Sequence, residues 1–364
     1  MNEKKEYLSQ QLITYIGNKR ALLDFIGEGV KEVQKRLGKP KLRMLDVFSG
    51  SGIVARYFKR FSDVLIVNDL EKYSTVINEC YLSNESELDL PLLKELHNEI
   101  VLRSGTQPVR GIIAKLYAPD DDNDIKPDER VFYTSRNAMF IDTVRQMIET
   151  VGEKERNYFL APLLSQASIH ANTSGVFKGF YKNRATGVGQ FGGMNRDALS
   201  RITGDIQLPF PVFSNFNCET TVCSGDANEI APTLPEVDLA YLDPPYNQHP
   251  YGSNYFMLNL IVDYQYPENI SKVSGIPENW NHSDYNREKQ ALPALADLID
   301  RIKSKFVLIS FNSEGFVSIG QMLDMLQKIG KVTTMETSYN AFRGSRNLHK
   351  RDIHVKEYLF VLEK

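Results

Sequence analysis

Residues 240–246 read AYLDPPY, an apolar run that ends on a carboxylate, two prolines and a tyrosine. Each proline keeps the residue before it extended, and neither proline has a backbone N–H to donate. The carboxylate of Asp243 and the carbonyl of Pro244 are therefore fixed hydrogen-bond acceptors beside the ring of Tyr246. Such a set suits a flat ring with the two N–H donors of an exocyclic amino group, as on a nucleic-acid base.

Accepting both hydrogens would localise the lone pair of that amino nitrogen and make it more nucleophilic. A base inside a duplex cannot reach such a pocket, so it has to be flipped out at a cost of a few kcal/mol. The alternative interpretation is an ordinary turn after a strand, with Asp243 and Tyr246 exposed to solvent.

A second candidate site is the segment 46–52, DVFSGSG, in which Gly50 and Gly52 lead from a strand into a helix. In open α/β sheets, ligands bind beyond the carboxyl ends of strands, where glycines let them approach the backbone. The segment lacks the lysine of a phosphate-binding loop. It also departs from the dinucleotide fingerprint, because residue 55 is Ala55. A tight strand-to-helix turn without a ligand is the alternative.

About twenty residues further on, the strand VLIVNDL ends on Asn68 and Asp69. A carboxylate at this place can accept hydrogen bonds from ribose hydroxyls, which favours a cofactor that contains a nucleoside. Asp69 could instead serve as the N-cap of the helix that follows.

The elements that position these residues alternate between strand and helix. Strands are predicted at 42–48 and 63–70, each followed by a helix, and an amphipathic helix that starts near Gly17 precedes them. The alternation stops near residue 95 and resumes near 220, and two β-rich runs at the C-terminal end are predicted to pair antiparallel. This pattern predicts an α/β fold built on a largely parallel sheet.

Composition narrows the class of protein. The 364 residues carry a net charge of −3 and contain three cysteines, Cys80, Cys218 and Cys223, whose spacing supports neither a disulfide framework nor a zinc site. The histidines show no metal-ligand spacing either. No signal segment or membrane span is recognisable, so we expect a cytoplasmic protein.

In their order along the chain, these motifs resemble those of the class I, S-adenosylmethionine-dependent DNA adenine-N6 methyltransferases of the Dam-like (alpha) group. The resemblance covers most of residues 10–90 and 220–362. It implies a Rossmann-like class I methyltransferase sheet, mostly parallel with an antiparallel C-terminal edge strand. The catalytic domain would comprise residues 1–95 and 220–364, and residues 96–219 would form an inserted target-recognition domain that binds DNA.

The resemblance also assigns roles to residues. TYIGNKR, residues 14–20, is similar to the motif that contacts the methionine end of the cofactor, and CSGDANEI, residues 223–230, to the motif that contacts its adenine. The implied cofactor-binding residues are Tyr15, Ile16, Gly17, Asn18, Lys19, Asp46, Phe48, Ser49, Gly50, Gly52, Asn68, Asp69, Asp226 and Ala227. The implied catalytic residues are Asp243, Pro244, Pro245 and Tyr246.

Two clusters of basic residues are candidates for contact with DNA phosphates. The first interleaves with aromatic residues in a Gly-rich part of the insert, and the second lies between the two C-terminal β-rich runs. The candidates are Lys178, Tyr181, Lys182, Arg184 and Arg196 in the first, and Arg343, Arg346, Lys350 and Arg351 in the second. Ordinary solvated loops are the alternative for both. The acidic run at 119–129 is expected to face solvent, away from DNA.

We therefore expect a site-specific DNA adenine-N6 methyltransferase, most simply the modification enzyme of a restriction–modification system. Its cofactor would be S-adenosylmethionine, with no metal, and its partners duplex DNA and a cognate endonuclease, in the bacterial cytoplasm at the nucleoid. The leading Asp of DPPY favours adenine over cytosine-N4. An RNA adenine-N6 methyltransferase, an orphan regulatory DNA methylase and a non-catalytic nucleic-acid-binding module are the alternatives.

Overall fold

The centre of the molecule is a seven-stranded sheet in the order β3-β2-β1-β4-β5-β7-β6. A computed structural model describes residues 2–193, 196–245, 247–312, 315–340 and 354–364. The strands are β1 (Leu42–Asp46), β2 (Ser62–Asp69), β3 (Glu219–Ser224), β4 (Val237–Leu242), β5 (Ser304–Asn312), β6 (Lys331–Asn340) and β7 (His354–Glu363).

Strands β1 to β5 are parallel, whereas β7 runs antiparallel to both of its neighbours, β5 and β6. The predicted mostly parallel sheet with an antiparallel C-terminal pair is confirmed. Within that pair, the last strand lies between β5 and β6, so β6 forms the edge. The strand order reverses between β1 and β4, which is the place where open α/β sheets bind ligands.

Helices cover both faces of the sheet. The first ones are α1 (Lys5–Ser9), α2 (Leu23–Leu37), α3 (Ile53–Phe58), α4 (Lys72–Tyr81) and α5 (Leu90–Ser104). They are followed by α6 (Ile112–Tyr117), α7 (Ser135–Ile148), α8 (Asn157–Ile169), α9 (Leu199–Thr203) and α10 (Ala227–Ile230). The last are α11 (Tyr251–Asn254), α12 (Phe256–Asp263), α13 (Glu288–Arg301) and α14 (Ile319–Ile329).

Alternate strand residues enter two separate cores, as expected for strands buried on both faces. Met44 and Leu239 pack on the face covered by α2 and α3, whereas Leu45 and Ala240 pack on the face covered by α10, α13 and α14. A 3-10 turn, Lys19–Leu22, precedes α2, because the side chain of Asn18 caps Arg20 and starts the turn there. The predicted amphipathic helix therefore begins after Gly17.

Helices α6, α7 and α8, which lie between residues 96 and 219, share one hydrophobic core with α4 and α12. Tyr73 and Ile77 of α4 contribute to this core together with Phe159 and Leu163 of α8. The segment predicted to be an insert is thus packed directly on helices that flank the sheet.

Candidate active site

The turn between β1 and α3, residues 47–52, depends on its glycines. Gly50 and Gly52 have φ of +50° and +72°, values that residues with a side chain rarely adopt. A Cβ on Gly50 would lie 2.8 Å from the ring of Tyr15, and one on Gly52 would lie 2.8 Å from Oδ1 of Asn78. Both positions require glycine, and at Gly50 the wall of the neighbouring cleft is formed by backbone.

Asp69 at the end of β2 fastens this turn. Its Oδ2 accepts a hydrogen bond from the backbone N–H of Gly50 at 2.7 Å, and its Oδ1 accepts one from Glu71 at 2.9 Å. Burial raises the pKa of Asp69 to about 6, although these backbone N–H donors act in the opposite direction. The side chain of Asn68 donates to the carbonyls of Val47 and Gly225, and so joins the loops that follow β1 and β3.

The loops at the carboxyl ends of β1 to β4 line one open cleft. Most of the cofactor and catalytic residues inferred from the sequence line it. These residues are Tyr15, Gly17, Asn18, Lys19, Phe48, Ser49, Gly50, Asn68, Asp69, Asp226, Ala227, Asp243 and Pro245. Ile16, Asp46, Gly52 and Pro244 are not among the lining residues, and Tyr246 lies outside the described residues.

The N-terminal motif is held against the segment that follows DPPY by three stacked tyrosine rings. The ring of Tyr15 lies 5.0 Å from that of Tyr251 and 4.9 Å from that of Tyr255, between centroids. The backbone of Ile16 donates to the hydroxyl of Tyr255 at 2.8 Å and accepts from that of Tyr251 at 3.0 Å. Ile16 therefore contributes through its backbone, and its exposed side chain does not line the cleft.

Asp243 has a partner that its sequence context does not show. The ammonium of Lys19 lies 3.0 Å from Oδ1 of Asp243 and 3.3 Å from Oε1 of Glu357, and Lys19 is 4% exposed. Burial raises the pKa of Asp243, and the neighbouring Lys19 opposes that rise. The carboxylate of DPPY is thus held in an ion pair and is not uncompensated.

Two further acids in the sequence motifs play different parts. Asp46 is fully buried at the end of β1, and burial raises its pKa well above the usual range, with the charges of Asp243 and Asp69 adding to the effect. Asp226 caps α10, since its Oδ1 accepts from the backbone of Asn228 at 2.9 Å. Asp46 therefore does not reach the surface of the cleft, whereas Asp226 is one of the residues that line it.

The family is established by comparison with known proteins. The model of the D12 class N6 adenine-specific DNA methyltransferases matches residues 15–325. The chain belongs to this family. The type II methyltransferase M.NlaIII of Neisseria lactamica is 30% identical to the D12 methyltransferase described here, over 97% of this chain and 99% of its own. M.CviAII of Paramecium bursaria Chlorella virus 1 is also 30% identical, over 96% and 98% of the two chains.

Some relatives of the D12 methyltransferase are longer. The modification methylase StsI of Streptococcus sanguinis is 28% identical, over 96% of this chain and 52% of its own. The family implies use of S-adenosylmethionine. Where the structure describes the chain, no cluster of His, Cys, Asp and Glu could hold a metal ion. Among those same residues, no helix has the length and apolar composition of a membrane span.

Several residues on the cleft of the D12 methyltransferase were not identified from the sequence. Glu71 is 3% exposed and accepts hydrogen bonds from Asn259 at 2.5 Å and Asn281 at 3.3 Å. Burial raises the pKa of Glu71 to about 7. Tyr285 meets the ring of Phe48 edge-on at 5.1 Å. No motif marks the segment around residues 281–286, and only the fold brings it to the cleft.

The first basic cluster lies on a hairpin of the insert. Lys182 pairs with Gly189, and Asn183 accepts hydrogen bonds from the backbone of Ala185 and Thr186 in the tip. Of the candidate DNA-binding residues, Lys178, Lys182, Arg184 and Arg196 are exposed and Tyr181 is half-buried. Arg343, Arg346, Lys350 and Arg351 lie outside the described residues.

Asn172, which the sequence motifs did not single out, holds the base of this hairpin. It is fully buried, and its side chain donates to the carbonyls of Val131 and Gln190 and accepts from the backbone of Gly192 at 3.1 Å. One amide side chain thus connects the hairpin to the helical part of the insert.

The acidic run is not remote from the hairpin. Asp122 and Asn123 line a second cleft together with Asn183, Gln190 and Arg196. The run was expected to face solvent, away from DNA; most of it is exposed and part of it lies beside the hairpin, and its placement relative to DNA stays a prediction. If the hairpin contacts DNA, the acidic run lies close to that interface.

Proposed function

We propose that this D12 methyltransferase transfers the methyl group of S-adenosylmethionine to N6 of an adenine flipped out of a specific duplex DNA sequence. The observation that carries the proposal is the meeting of the glycine turn and Asp243 in one cleft at the reversal of strand order. This arrangement gives a cofactor and a target base a common site.

The cleft fits the chemical groups of S-adenosylmethionine. Gly50 leaves room for a ligand at the backbone, Asp69 and Glu71 are acceptors for hydroxyl groups, and Phe48 and Tyr285 offer ring edges. S-adenosylmethionine would supply an electrophilic methyl group on a positively charged sulfur. The carboxylate of Asp69 at the end of β2 lies on the cleft and would suit such a positively charged ligand.

On the target side, we assign the acceptor role to Asp243, which lines the cleft, and on the resemblance of the DPPY motif alone to the carbonyl of Pro244, which is not among the lining residues. Both would take hydrogen bonds from the adenine amino group, fix its orientation and favour a lone pair on the nitrogen. The amino nitrogen would form a bond to the methyl carbon while the carbon–sulfur bond breaks and leaves its electron pair on sulfur, and the methylated nitrogen would then give one proton to water, so no covalent bond to the protein is needed. Positioning and electrostatics supply the acceleration. Stacking of Tyr246 on the base is part of the proposal.

Residues 96–219 are proposed to form the target-recognition part, in which the exposed cations of the hairpin contact phosphates. The names of the relatives support a role as the modification enzyme of a restriction–modification system with a cognate endonuclease. The protein would then act in the bacterial cytoplasm, at the nucleoid. An orphan regulatory methylase would have the same cleft, and RNA is the alternative substrate.

The test is to express the chain in a host free of adenine methylation and to sequence the modified bases of its DNA. We expect N6-methyladenine in one sequence context, and we expect it to be absent when the Asp243→Asn variant is expressed. Tritiated-methyl transfer to matched duplex DNA and RNA separates the two substrates. Full methylation by Asp243→Asn protein would refute the acceptor role, and transfer to RNA in place of DNA would refute the substrate.

A further inference from the structure

Lys19 is shared between two carboxylates that are far apart in the sequence: Glu357, which is buried, and Asp243, which is partly buried at the cleft. Asp243 follows β4 and Glu357 lies in β7, and their oxygens are 3.0 Å and 3.3 Å from the same ammonium. Glu357 is completely buried, with 0% of its surface accessible to solvent. A buried carboxylate is costly unless it is paired, so the pairing with Lys19 accounts for its place inside the protein.

Glu357 does not line the cleft, whereas Lys19 and Asp243 do. It therefore cannot serve as a ligand for the cofactor or the base from its present position. Its action on the cleft has to pass through the ammonium of Lys19. This geometry distinguishes it from Asp69 at the end of β2, which lines the cleft.

We propose that Glu357 is a positioning residue for methyl transfer: it holds Lys19 so that the ammonium is shared, and Asp243 keeps acceptor strength for the adenine amino group. The inference rests on the proposed function. Without Glu357, the ammonium would lose one of its carboxylate partners, interact more strongly with Asp243 and compete with the amino hydrogens for its oxygens. With it, Lys19 fixes the carboxylate and neutralises it only in part.

The pH dependence follows from the charges around Asp243. Among the described residues these are Lys19 from the N-terminal segment, Asp46 from β1, Tyr241 from β4 and Glu357 from β7. The charge of Asp243 raises the pKa of Glu357, and because the coupling of two carboxylates is mutual, the negative charge of Glu357 also favours protonation of Asp243. Removing it lowers the pKa of Asp243, so the acid limb of the kcat profile, which reports loss of the ionised acceptor, moves to lower pH.

The experiment measures methylation of duplex DNA by the full-length chain from pH 5 to 9, together with S-adenosylmethionine binding by calorimetry. Glu357→Gln keeps the shape and removes the charge. We expect its acid limb to fall by about one pH unit and its plateau kcat to drop about tenfold, with cofactor affinity within about twofold of the parent. Glu357→Asp keeps the charge, and its acid limb should return toward the parent position.

Glu363→Gln is the matched control, because Glu363 lies in the same strand and pairs with Arg36 near the surface at 3.6 Å. Its profile should equal that of the parent. An unshifted acid limb in Glu357→Gln, or a loss of cofactor binding equal to the loss of kcat, would overturn the inference. If Asp243→Asn is inactive in the same assay, that result leaves the proposed function standing; an active Asp243→Asn would refute the proposed function itself.

Discussion

Gly50→Ala is the substitution that tests most directly how the cleft is built. The alanine would carry two costs, a backbone in the left-handed region at φ +50° and a Cβ 2.8 Å from ring atoms of Tyr15. Tyr15 cannot yield easily, because Tyr251 and Tyr255 stack on it. The turn itself has to move, which pulls the Gly50 N–H away from Asp69.

Gly38→Ala separates the two costs. Gly38 ends α2 at φ +66°, and a Cβ there would have nothing within 4 Å. The free energy of unfolding of that variant should therefore fall only by the cost of holding alanine in the left-handed region, about 1 kcal/mol. Ordinary carbon contacts are about 3.5 to 4.0 Å, so Gly50→Ala adds an overlap of the order of 1 Å, and overpacking of this kind costs about 1 to 3 kcal/mol more.

The assay is urea unfolding of both variants beside calorimetric titration with S-adenosylmethionine. Gly50→Ala is expected to be less stable than Gly38→Ala by about 1 to 3 kcal/mol and to bind the cofactor at least about tenfold more weakly, which corresponds to about 1.4 kcal/mol. Gly38→Ala should bind like the parent. Equal stability of the two variants together with unchanged cofactor affinity would refute the argument from Tyr15.

Three further outcomes are expected. Folding raises the pKa of Glu71 to about 7, so the folded state binds a proton there more tightly than the unfolded state does. The free energy of unfolding should therefore fall as pH rises from 4.5 through 7. In urea titrations, Glu71→Gln should remove about 2 kcal/mol of that fall. Asn172→Ala should cost about 2 to 4 kcal/mol, since three backbone groups lose their partner, and limited proteolysis should cut the hairpin first. Lys182→Ala should weaken DNA binding on all sequences and lower the salt slope by about 1 in fluorescence titrations, whereas exposed Lys154→Ala should not.

Much of the fold was predictable from local patterns. The glycines after β1, the acid after β2 and the prolines after β4 each mark a strand end, because turn chemistry depends on neighbouring residues. The alternation of strands and helices then predicted the parallel sheet, which the structure confirms. The start of α2 was less predictable. The backbone N–H of Arg20 donates a hydrogen bond to the side chain of Asn18, and this bond favours a 3-10 turn over an earlier start of the α-helix.

Other parts of the cleft could not be predicted because they depend on strand order. Glu71 and Asn281 meet across 210 positions of the chain, and nothing in either local segment indicates the contact. The base of the hairpin is similar: Asn172 satisfies three backbone groups of the insert, and its identity as an asparagine carries no distinctive signal. The proximity of the acidic run to the hairpin was not predictable either, because charge alone does not determine where a loop packs.

The ion pair between Lys19 and Asp243 changes how the two sides of the reaction relate. The sequence motifs assign Lys19 to the cofactor and Asp243 to the base, as if they acted separately. Because their charged atoms are 3.0 Å apart in a mostly buried setting, a change in one alters the charge and position of the other. If the sequence motifs assign the two residues correctly, we expect a substitution at Lys19 itself to change both cofactor affinity and the acceptor strength of Asp243.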